Sequence, residues 1–337
     1  MTNEAWKLNA TAKLTQNQTV SDLIKQQKGE LIDLSSTQLQ RNGIYIIKLR
    51  ERLEFNKFKG RYGLHGSASG RSTIGRLDVL TRLIVDYFPK YDEVPPDYRG
   101  DLYLEVVPLS FHLIAKEGIA LNQLRIFHGK PELSALTPSE LANAAPMTYL
   151  QEGHPTTSDH GLLRVSLGPA PNFPKSKVVA FKAKEKVEAP VDLTRTPKSH
   201  DAKIYFEPEF HNEIGLQMLR ERFYILRSVE RMFLPNDIAV TCVAYTENLG
   251  ELRIHYAGFA HPNFGRPPLG KEATNTGAPL IFEARCHSFS VTIREQEHFA
   301  RIQYYKMSEP TDKPSSYSSQ ELTLSSYFQD WKEDGTN

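Results

Sequence analysis

The chain of 337 residues has little cysteine and no long hydrophobic run. Its two cysteines, Cys242 and Cys286, are far apart and have no further cysteine or histidine at metal-ligand spacing, which argues against a disulfide scaffold or structural zinc and predicts reduced, packed thiols. No apolar run approaches the roughly 18 to 20 residues of a membrane helix. The polar N-terminus also has no signal-peptide core. We therefore expect a cytoplasmic protein without a membrane partner.

The sequence also has no excess of basic or acidic residues. The 41 Lys and Arg residues nearly balance the 40 Asp and Glu residues, giving a net charge of +1, and the basic residues are scattered along the chain. A nucleic acid polymer is therefore disfavoured as a partner. The length, by contrast, favours two domains, each able to bury its own core.

What the sequence does contain is an internal repeat. Residues 45–53 return as residues 224–232, at an offset of 179, with Tyr, Ile, Glu and Arg in register. Residues 102–105 return as residues 280–283, at an offset of 178, and each block is followed by Ser-Phe at the same distance. Two blocks in the same order at nearly the same offset predict a tandem duplication.

Both copies predict a mainly β protein with a few short helices, because short apolar stretches rich in β-branched and aromatic residues alternate with Gly and Pro. Residues 73–87 are ambiguous. Four of them have helical spacing, namely Ile74, Leu77, Leu80 and Leu83, but their β-branched neighbours leave a strand pair open.

The composition divides the chain into four parts. The first copy spans residues 1–130, and the second, degenerate copy spans residues 201–310. Between them, residues 131–200 are rich in proline, which predicts a connecting region with only local structure. Residues 311–337 are rich in serine and charge but contain aromatic residues, which predicts a tail that docks on the protein and closes over the site.

One candidate binding segment covers residues 70–76 of the first copy. Small residues at 66–70 allow backbone amides to approach an anion, and Arg71, Ser72 and Thr73 add a guanidinium and two hydroxyls suited to phosphate oxygens. The alternative is a solvated turn beside a helix cap. The segment is not a P-loop, because no Gly-Lys-Ser/Thr follows at the required spacing.

A candidate catalytic group lies in residues 102–107. Strand alternation places Tyr103 and Glu105 on one face and the leucines on the other, so that Glu105 lies among apolar and aromatic neighbours. Such surroundings favour the protonated carboxyl and suit a group that takes a proton from water and gives it to a leaving nitrogen. The alternative is a strand carboxylate paired with an arginine.

Together these segments resemble a known family. Residues 71–76, Arg-Ser-Thr-Ile-Gly-Arg, resemble the Arg-Ser-Ser-Leu-Ala-Arg motif of dCTP deaminases, and residues 98–101, Tyr-Arg-Gly-Asp, resemble a motif shared with dUTPases. Residues 75–82 and 255–259 are similar to the long bacterial form with two fused copies. The resemblance extends from about residue 45 to residue 328. It implies two tandem dUTPase-like distorted β-barrels, an active site between neighbouring barrels and a homotrimer.

The resemblance also implies roles at the reacting base. Glu105 is expected to be the general base and acid that activates water for attack on C4 of cytosine. Ser72 and Arg76 are expected to hold the water, the exocyclic amine and the Glu105 carboxylate. No protein-bound zinc is expected.

Substrate contacts are implied as well. Arg71 and Thr73 are expected to bind the triphosphate, which would bring Mg²⁺ as its counter-ion. Tyr98 and Tyr103 are expected to border the nucleoside. Gln320 falls in a Tyr-x-x-Gln segment similar to the family's closing tail and is expected to contact phosphate.

The sequence departs from the family at two of these contacts. Pro95 stands where family members have an Asp that binds the sugar hydroxyl, so Asp97 is the possible replacement. Ser316 stands where a tail lysine is expected, and Lys313 is the possible replacement.

The second copy lacks a complete set of these residues. Arg253 can be aligned with Arg76 and Glu283 with Glu105, but Leu249 stands at the position of Ser72. We therefore expect the second copy to be chemically silent.

The expected function is hydrolytic deamination of dCTP to dUTP and ammonia, supplying the dUMP/dTTP pathway. A dUTPase or a bifunctional dCTP deaminase/dUTPase is the nearest enzymatic alternative, although the Gly-rich C-terminal phosphate motif is missing. A zinc cytidine deaminase would need His-x-Glu and Pro-Cys-x-x-Cys, which the chain lacks. The non-enzymatic alternative is a nucleotide-sensing barrel protein.

Overall fold

The computed structural model describes residues 1–58, 60–156, 161–243, 252–254, 258–267, 277–315, 317–318 and 320–333, with 252–254 as backbone. Several residues from the sequence analysis lie outside these ranges: Leu249, residues 255–257 and Ser316. Strands make up 41% and helices 9% of the structure, so the predicted mainly β class is confirmed. The barrel geometry stays a prediction. Within the described residues, none of the helices has the length and hydrophobicity of a membrane-spanning segment.

The chain forms two compact units. The first contains residues 1–134, 185–201 and 325–329, and the second contains residues 135–184, 202–324 and those from 330 onward. The first 130 residues thus fall in one unit. The tail contributes to both units.

Strands of the first unit form three sheets. Its strands in chain order are β1 (Glu4–Leu8), β2 (Glu30–Asp33), β3 (Ile44–Glu54), β4 (Leu64–Gly70), β5 (Val79–Val85), β6 (Glu93–Val94), β7 (Arg99–Pro108), β8 (Leu113–Ile114) and β9 (Asn122–His128). The largest sheet has the order β2-β1-β3-β7-β5, and a second has the order β6-β4-β9. Helix α1 (Val20–Gln26) and helix α2 (Ser72–Gly75) lie between strands. One 3₁₀ turn spans Phe55–Lys57.

The second unit is built on a larger sheet. In chain order the remaining strands are β10 (Thr148–Tyr149), β11 (Leu162–Ser166), β12 (Val178–Ala183), β13 (Val191–Asp192), β14 (Phe206–Phe210), β15 (Leu216–Met218), β16 (Phe223–Met232), β17 (Ile238–Val243), β18 (Leu252–Ile254), β19 (Phe259–Ala260), β20 (Ala278–Cys286), β21 (Val291–Ile293) and β22 (His298–Lys306). Strand β13 belongs to the first unit, where it pairs with β8. Helix α3 (Pro138–Ala142), helix α4 (Ala202–Tyr205) and a 3₁₀ turn (Pro131–Leu133) complete the elements.

The strand registers support the predicted duplication. In the first unit Tyr45 lies opposite Val106, and in the second Tyr224 lies opposite Ala284. The β3–β7 ladder has an irregularity between residues 48 and 52, and the β16–β20 ladder has one between residues 227 and 231. These two positions are equivalent in the repeat. Bulges are specific local features, so their recurrence at the repeat offset indicates common architecture.

A hydrogen bond repeats as well. The Tyr45 hydroxyl accepts from the backbone N–H of Gln40 at 2.8 Å, and the Tyr224 hydroxyl accepts from that of Leu219 at 2.9 Å. Both tyrosines are fully buried. In both copies, an equivalent tyrosine therefore accepts a hydrogen bond from the backbone N–H of a residue five positions earlier, in the segment that leads into the strand.

The structure decides one region that the sequence left open and corrects another. Of residues 73–87, 73–75 end the helical turn Ser72–Gly75 and 79–85 form β5, which pairs with β7 along its full length. The connecting region 131–200 is not merely local structure, since β11 pairs with β16 and β22, and β12 pairs with β14 and β16. The buried valines and alanines of these strands join the second core, and their pairing satisfies the backbone between the prolines.

Candidate active site

The fully buried Glu105 lies in the middle of the largest sheet of the first unit. Its strand β7 is flanked by β3 and β5, which places Ile46 on one side of Glu105 and Arg82 on the other. Arg82 Nε donates to Glu105 Oε1 at 2.8 Å, and Arg82 Nη2 donates to the same oxygen. The backbone N–H of Ala12 donates to Oε2 at 2.5 Å. Both carboxylate oxygens are therefore bonded, which matches the paired carboxylate that the sequence left open.

Arg82 is itself held by an aromatic ring. Its guanidinium carbon lies 4.2 Å from the centroid of the Tyr91 ring, within the range of a cation–π contact. Burial, and then the charge of Glu105, raises the pKa of the Tyr91 hydroxyl, which stays protonated. The stacked guanidinium and the carboxylate thus form one ordered group on this face of the sheet.

The N-terminal segment covers this face. Helix α1 begins at a capping box in which Thr19 and Asp22 bond each other's backbone N–H, and its apolar side packs inward. Its buried residues join a cluster with the sheet, made of Leu8, Ala12, Leu14, Val20, Leu23, Ile24, Ile46 and Ile84. In the isolated chain, Glu105 is therefore sealed from solvent.

Ser72 and Arg76 lie on a single helical turn beyond the end of this sheet. The backbone N–H of Arg76 donates to the carbonyl oxygen of Ser72 at 3.0 Å, and Arg76 is buried. Strand β5 starts at Val79, and the rise from Val79 to Arg82 alone is about 10 Å. Within the described residues, Glu105 has no hydrogen bond to Ser72 or Arg76. Their assembly into one site stays a prediction.

Arg71 and Thr73 meet the tail of the first unit. The exposed Arg71 precedes the turn, and the Thr73 carbonyl oxygen accepts from the hydroxyl of Ser325 at 2.6 Å. Burial raises the pKa of Tyr327, and the nearby Arg71 opposes this rise. Sequence reasoning missed Ser325 and Tyr327, because their position beside Arg71 depends on how the tail folds back.

Tyr98 and Tyr103 lie near a carboxyl group that the sequence analysis did not select. The Tyr98 hydroxyl donates to the carbonyl oxygen of Asp101 at 2.5 Å. Burial and the nearby Asp86 raise the pKa of both Tyr98 and Tyr103. Asp86 accepts from the backbone N–H of Val20 at 2.8 Å, which links this group to helix α1. The two tyrosines thus share surroundings, as their expected roles require.

Comparison with known proteins follows the same division of the chain. Residues 1–130 match the family model of the 2'-deoxycytidine 5'-triphosphate deaminase (DCD) N-terminal domain, and residues 138–328 match that of the C-terminal domain. The chain belongs to the dCTP deaminase family. Its reaction is the deamination of dCTP, as the sequence motifs predict.

The fold gives the same result. A crystal structure of 2'-deoxycytidine 5'-triphosphate deaminase from Agrobacterium tumefaciens is similar to this chain with a TM-score of 0.78 and 27% sequence identity. The match covers 94% of this chain and 88% of that one. A comparison with curated proteins found no match.

In this dCTP deaminase family member, Gln320 belongs to the second unit, whereas the other predicted site residues belong to the first. Its Nε2 donates to the carbonyl oxygen of Pro279 at 2.9 Å. Tyr317 stacks on Phe264, with ring centroids 5.5 Å apart. The expected phosphate contact of Gln320 stays a prediction.

The second unit repeats the position of the candidate carboxylate. Glu283 lies opposite Ile225 as Glu105 lies opposite Ile46, and Glu283 is also buried. The predicted alignment of Arg253 with Arg76 is wrong, because Arg253 lies opposite Arg285 within the β18–β20 ladder. In the first unit, Leu80 of β5 lies opposite Val107, the equivalent of Arg285, so Arg253 corresponds to Leu80. Nine residues connect β3 to β4, whereas five connect β16 to β17, which shifts the alignment.

The tail is anchored in both units. Its residues Ser326 and Tyr327 accept backbone hydrogen bonds from Lys198 and His200, and the buried Phe328 lies against His200. Farther on, the ring of Trp331 lies 5.0 Å from that of Phe181. These contacts hold residues 326–331 against the protein, and the role of the tail as a closing segment stays a prediction.

The metal-ligating residues are dispersed. No group of three or more His, Cys, Asp or Glu is placed to hold a metal ion in the described ranges. Cys242 and Cys286 are free and buried, as predicted, and burial raises the pKa of Cys242 to about 12 and that of Cys286 to about 11. Both are therefore protonated thiols at neutral pH.

Proposed function

We propose that the chain hydrolyses the C4–N bond of dCTP to give dUTP and ammonia, with Glu105 as the proton-transfer group. The observation that carries the proposal is a fully buried carboxylate at the centre of the first unit, in a chain that contains both dCTP deaminase domains. The nucleotide-sensing alternative gives no use for this group. We also propose a cytoplasmic location, where deoxynucleotides are made and used.

The chemistry of Glu105 follows from its position. Its carboxylate takes a proton from water as the water oxygen bonds to C4 and passes this proton to N3 of the ring. It then takes the remaining proton of the new hydroxyl and gives it to the amino group, which leaves as ammonia when the C4–N bond breaks. A carboxylate has about four lone-pair sites, so the bonds from Arg82 and Ala12 leave room for a water. Arg82 thus orients the carboxylate during turnover.

Access to Glu105 requires a change in its surroundings. The carboxylate is sealed beneath the segment that carries Ala12 and helix α1. We propose that the chain assembles as a homotrimer, and that Ser72 and Arg76 reach the substrate from a second copy of the chain. The separation of these residues from Glu105 within one chain supports this assembly. Displacement of the Ala12 segment then opens the carboxylate to the base.

The remaining substrate contacts are proposed from the residues at the turn and the loop. Arg71 and Thr73 bind the triphosphate together with Mg²⁺, which the phosphates hold, and Gln320 adds a phosphate contact. Tyr98 and Tyr103 border the nucleoside, and the exposed Asp97 takes the place of the sugar-binding Asp. No zinc takes part, which the dispersal of candidate ligands among the described residues supports.

The product is the feature that separates this proposal from a dUTPase or a bifunctional enzyme. Hydrolysis at the α-phosphate needs a motif that closes over the phosphates, and the chain has no glycine between Gly277 and Gly335 to supply the Gly-rich form. The reaction should therefore stop when ammonia leaves.

Phosphorus NMR alongside an ammonia assay tests this proposal. Purified protein with dCTP and Mg²⁺ should release ammonia while all three phosphates stay on the nucleotide. Glu105→Gln protein is the control for contaminating activity. Diphosphate appearing in step with ammonia would establish a bifunctional enzyme, and no ammonia from dCTP would refute deamination.

A further inference from the structure

A cavity of about 420 Å³ lies in the second unit, and none of its lining residues is among those proposed for catalysis from the sequence. Its walls come from the end of β16, the start of β17, the end of β22 and the segment around α3. Pockets for small molecules commonly have about 300 to 1,000 Å³. The cavity is thus large enough for a compact organic ligand.

One wall carries an ordered guanidinium. Arg266 Nε donates to the carbonyl oxygen of Leu234 at 2.5 Å, and its guanidinium carbon lies 4.5 Å from the centroid of the Phe233 ring. The ring is in turn edge-on to Tyr149, with centroids 6.3 Å apart. A guanidinium fixed in this way loses little further freedom when it binds an anion.

A second cation lines the same cavity. Lys306 ends strand β22, and neither it nor Arg266 forms an ion pair in the part of the chain that the structure describes. The acidic Glu140 on the rim is already engaged, because the backbone N–H and hydroxyl of Thr137 donate to it at 2.7 and 2.8 Å. Asp237 is the other acidic lining residue. Lys306 also lies near Glu140, since the bonds from Thr137, and to a smaller extent the charge of Lys306, lower the pKa of that carboxyl. Arg266 is therefore the main cation for a ligand anion, and Lys306 adds to it.

The rest of the lining is mostly apolar and includes Leu136, Ala145, Pro146, Met147 and Ile238. The equivalent position of the first unit differs. At the repeat offset Phe233 corresponds to Glu54, whose carboxylate pairs with Lys57 and with Arg99 at 3.6 Å. The stacked arginine of the second unit is therefore not a general requirement of the fold.

We propose that this cavity binds a planar organic anion, an aromatic ring that carries a phosphate, sulfonate or carboxylate. The anionic group contacts Arg266 and Lys306, and the ring lies on the apolar wall. Asp237 accepts a hydrogen bond from a donor on the ligand. The site is separate from deamination and gives the second unit a binding role of its own.

Fluorescence titration with 8-anilinonaphthalene-1-sulfonate tests the site, with the neutral N-phenyl-1-naphthylamine as the matched probe without an anionic group. The sulfonate should bind at one saturable site, more tightly than the neutral probe. Arg266→Ala and Lys306→Ala should each weaken it by about tenfold, because a charged hydrogen bond is lost. The control Arg220→Ala removes an exposed arginine that pairs with Glu221 and should change nothing.

Two results would overturn the proposal: equal affinity for the two probes, or unchanged affinity in both Arg266→Ala and Lys306→Ala. Should either substitution prevent folding, Ala145→Trp tests the cavity by filling it from an exposed position, and unchanged binding there would also contradict it. Deamination by the variants should match that of the unmodified chain, so this test and that of the proposed function fail independently.

Discussion

Arg82 and Glu105 face each other across strands β5 and β7, and Arg82 Nε lies 2.8 Å from Glu105 Oε1. Glu105 is fully buried, whereas the side chain of Arg82 is 24% exposed. An isolated carboxylate in this position would be costly, so the arginine is a condition for keeping Glu105 inside the protein. The same pair orders the group that we propose to transfer protons.

Removal of the arginine should therefore destabilise the first unit. We expect Arg82→Ala to lower the free energy of unfolding by about 3 to 5 kcal/mol, because it leaves a buried charge without its partner. Urea denaturation followed by tryptophan fluorescence measures the loss.

The matched control is Arg50→Ala. Arg50 pairs with Glu117 at 2.5 Å, but their side chains are 60% and 39% exposed. That substitution should cost less than about 1 kcal/mol. In a Glu105→Gln background, Arg82→Ala should also cost less than in the original chain, because the buried charge is absent. Equal costs for Arg82→Ala in the two backgrounds would show that the ion pair does not set the stability.

The two equivalent glutamates give a second prediction. Glu105→Gln should reduce kcat for dCTP by about 10² to 10⁴-fold, the usual contribution of a general acid–base group. Glu283→Gln should alter stability or assembly more than kcat, because the second copy is expected to be silent. Thermal unfolding of both variants identifies losses that come from folding. A larger fall in kcat from Glu283→Gln would assign the proton transfers to the second unit.

Metal dependence gives a third prediction. Treatment with a zinc chelator, followed by dialysis into Mg²⁺, should leave turnover intact, because the expected metal is the one that the triphosphate brings. Metal analysis before and after chelation is the control. Stoichiometric zinc that leaves together with the activity would contradict the proposal.

The pH dependence of stability gives a fourth prediction. Burial raises the pKa of Asp92 from 3.8 to about 7, although the backbone N–H of Leu83 donates to its Oδ1 at 2.8 Å. The folded chain holds this proton more tightly than the unfolded chain does. Its contribution to stability is therefore full below the unfolded pKa and is lost as the pH rises through about 7.

Asp92→Asn removes the titration, while its Oδ1 still accepts from Leu83. Relative to the original chain, the variant should gain stability between about pH 5 and pH 8, by at most about 1.4 kcal/mol for each unit of pKa shift. Asp97→Asn is the control, because Asp97 has a similar positive φ, 65° against 60°, but is exposed. A pH-independent difference between Asp92→Asn and the original chain would refute the assignment.

Much of the fold follows from local patterns in the sequence. The repeated Tyr-Ile block predicts equivalent strands, and β3 and β16 do carry the same register to their partners. Alternation along residues 102–107 also predicts that Tyr103 and Glu105 share a face. These features depend on a period of two and on the repeat, both of which are visible in one sequence.

Other features depend on contacts between distant segments. Arg82 is the partner of Glu105 because of the register between β5 and β7. This register depends on the length of the connection between the two strands, which no local sequence pattern determines. The contact between Ala12 and Glu105 joins residues 93 positions apart. The strands within residues 162–183 are not predicted, because the prolines around them indicate a loop. The leucine spacing in residues 73–87 is compatible with a helix as well as with the strand that forms. Sequence reasoning therefore selects Glu105 as a candidate but does not predict its contacts with Arg82 and Ala12.

The last prediction concerns the origin of the residues in one active site. If Ser72 and Arg76 act on substrate held at Glu105 of another copy, two inactive variants should complement each other. Ser72→Ala and Glu105→Gln proteins, each inactive alone, should recover about a quarter of the original activity when co-expressed in equal amounts, because random mixing places both intact sides at one in four interfaces.

The control is co-expression of Ser72→Ala with Arg76→Ala, which damages the same side and should restore nothing. Size-exclusion chromatography with light scattering should find a trimer in every mixture. Absence of recovery in mixed trimers would show that Ser72, Arg76 and Glu105 do not meet across two copies. The comparison of Glu105→Gln with Glu283→Gln would then decide which carboxylate acts together with Ser72.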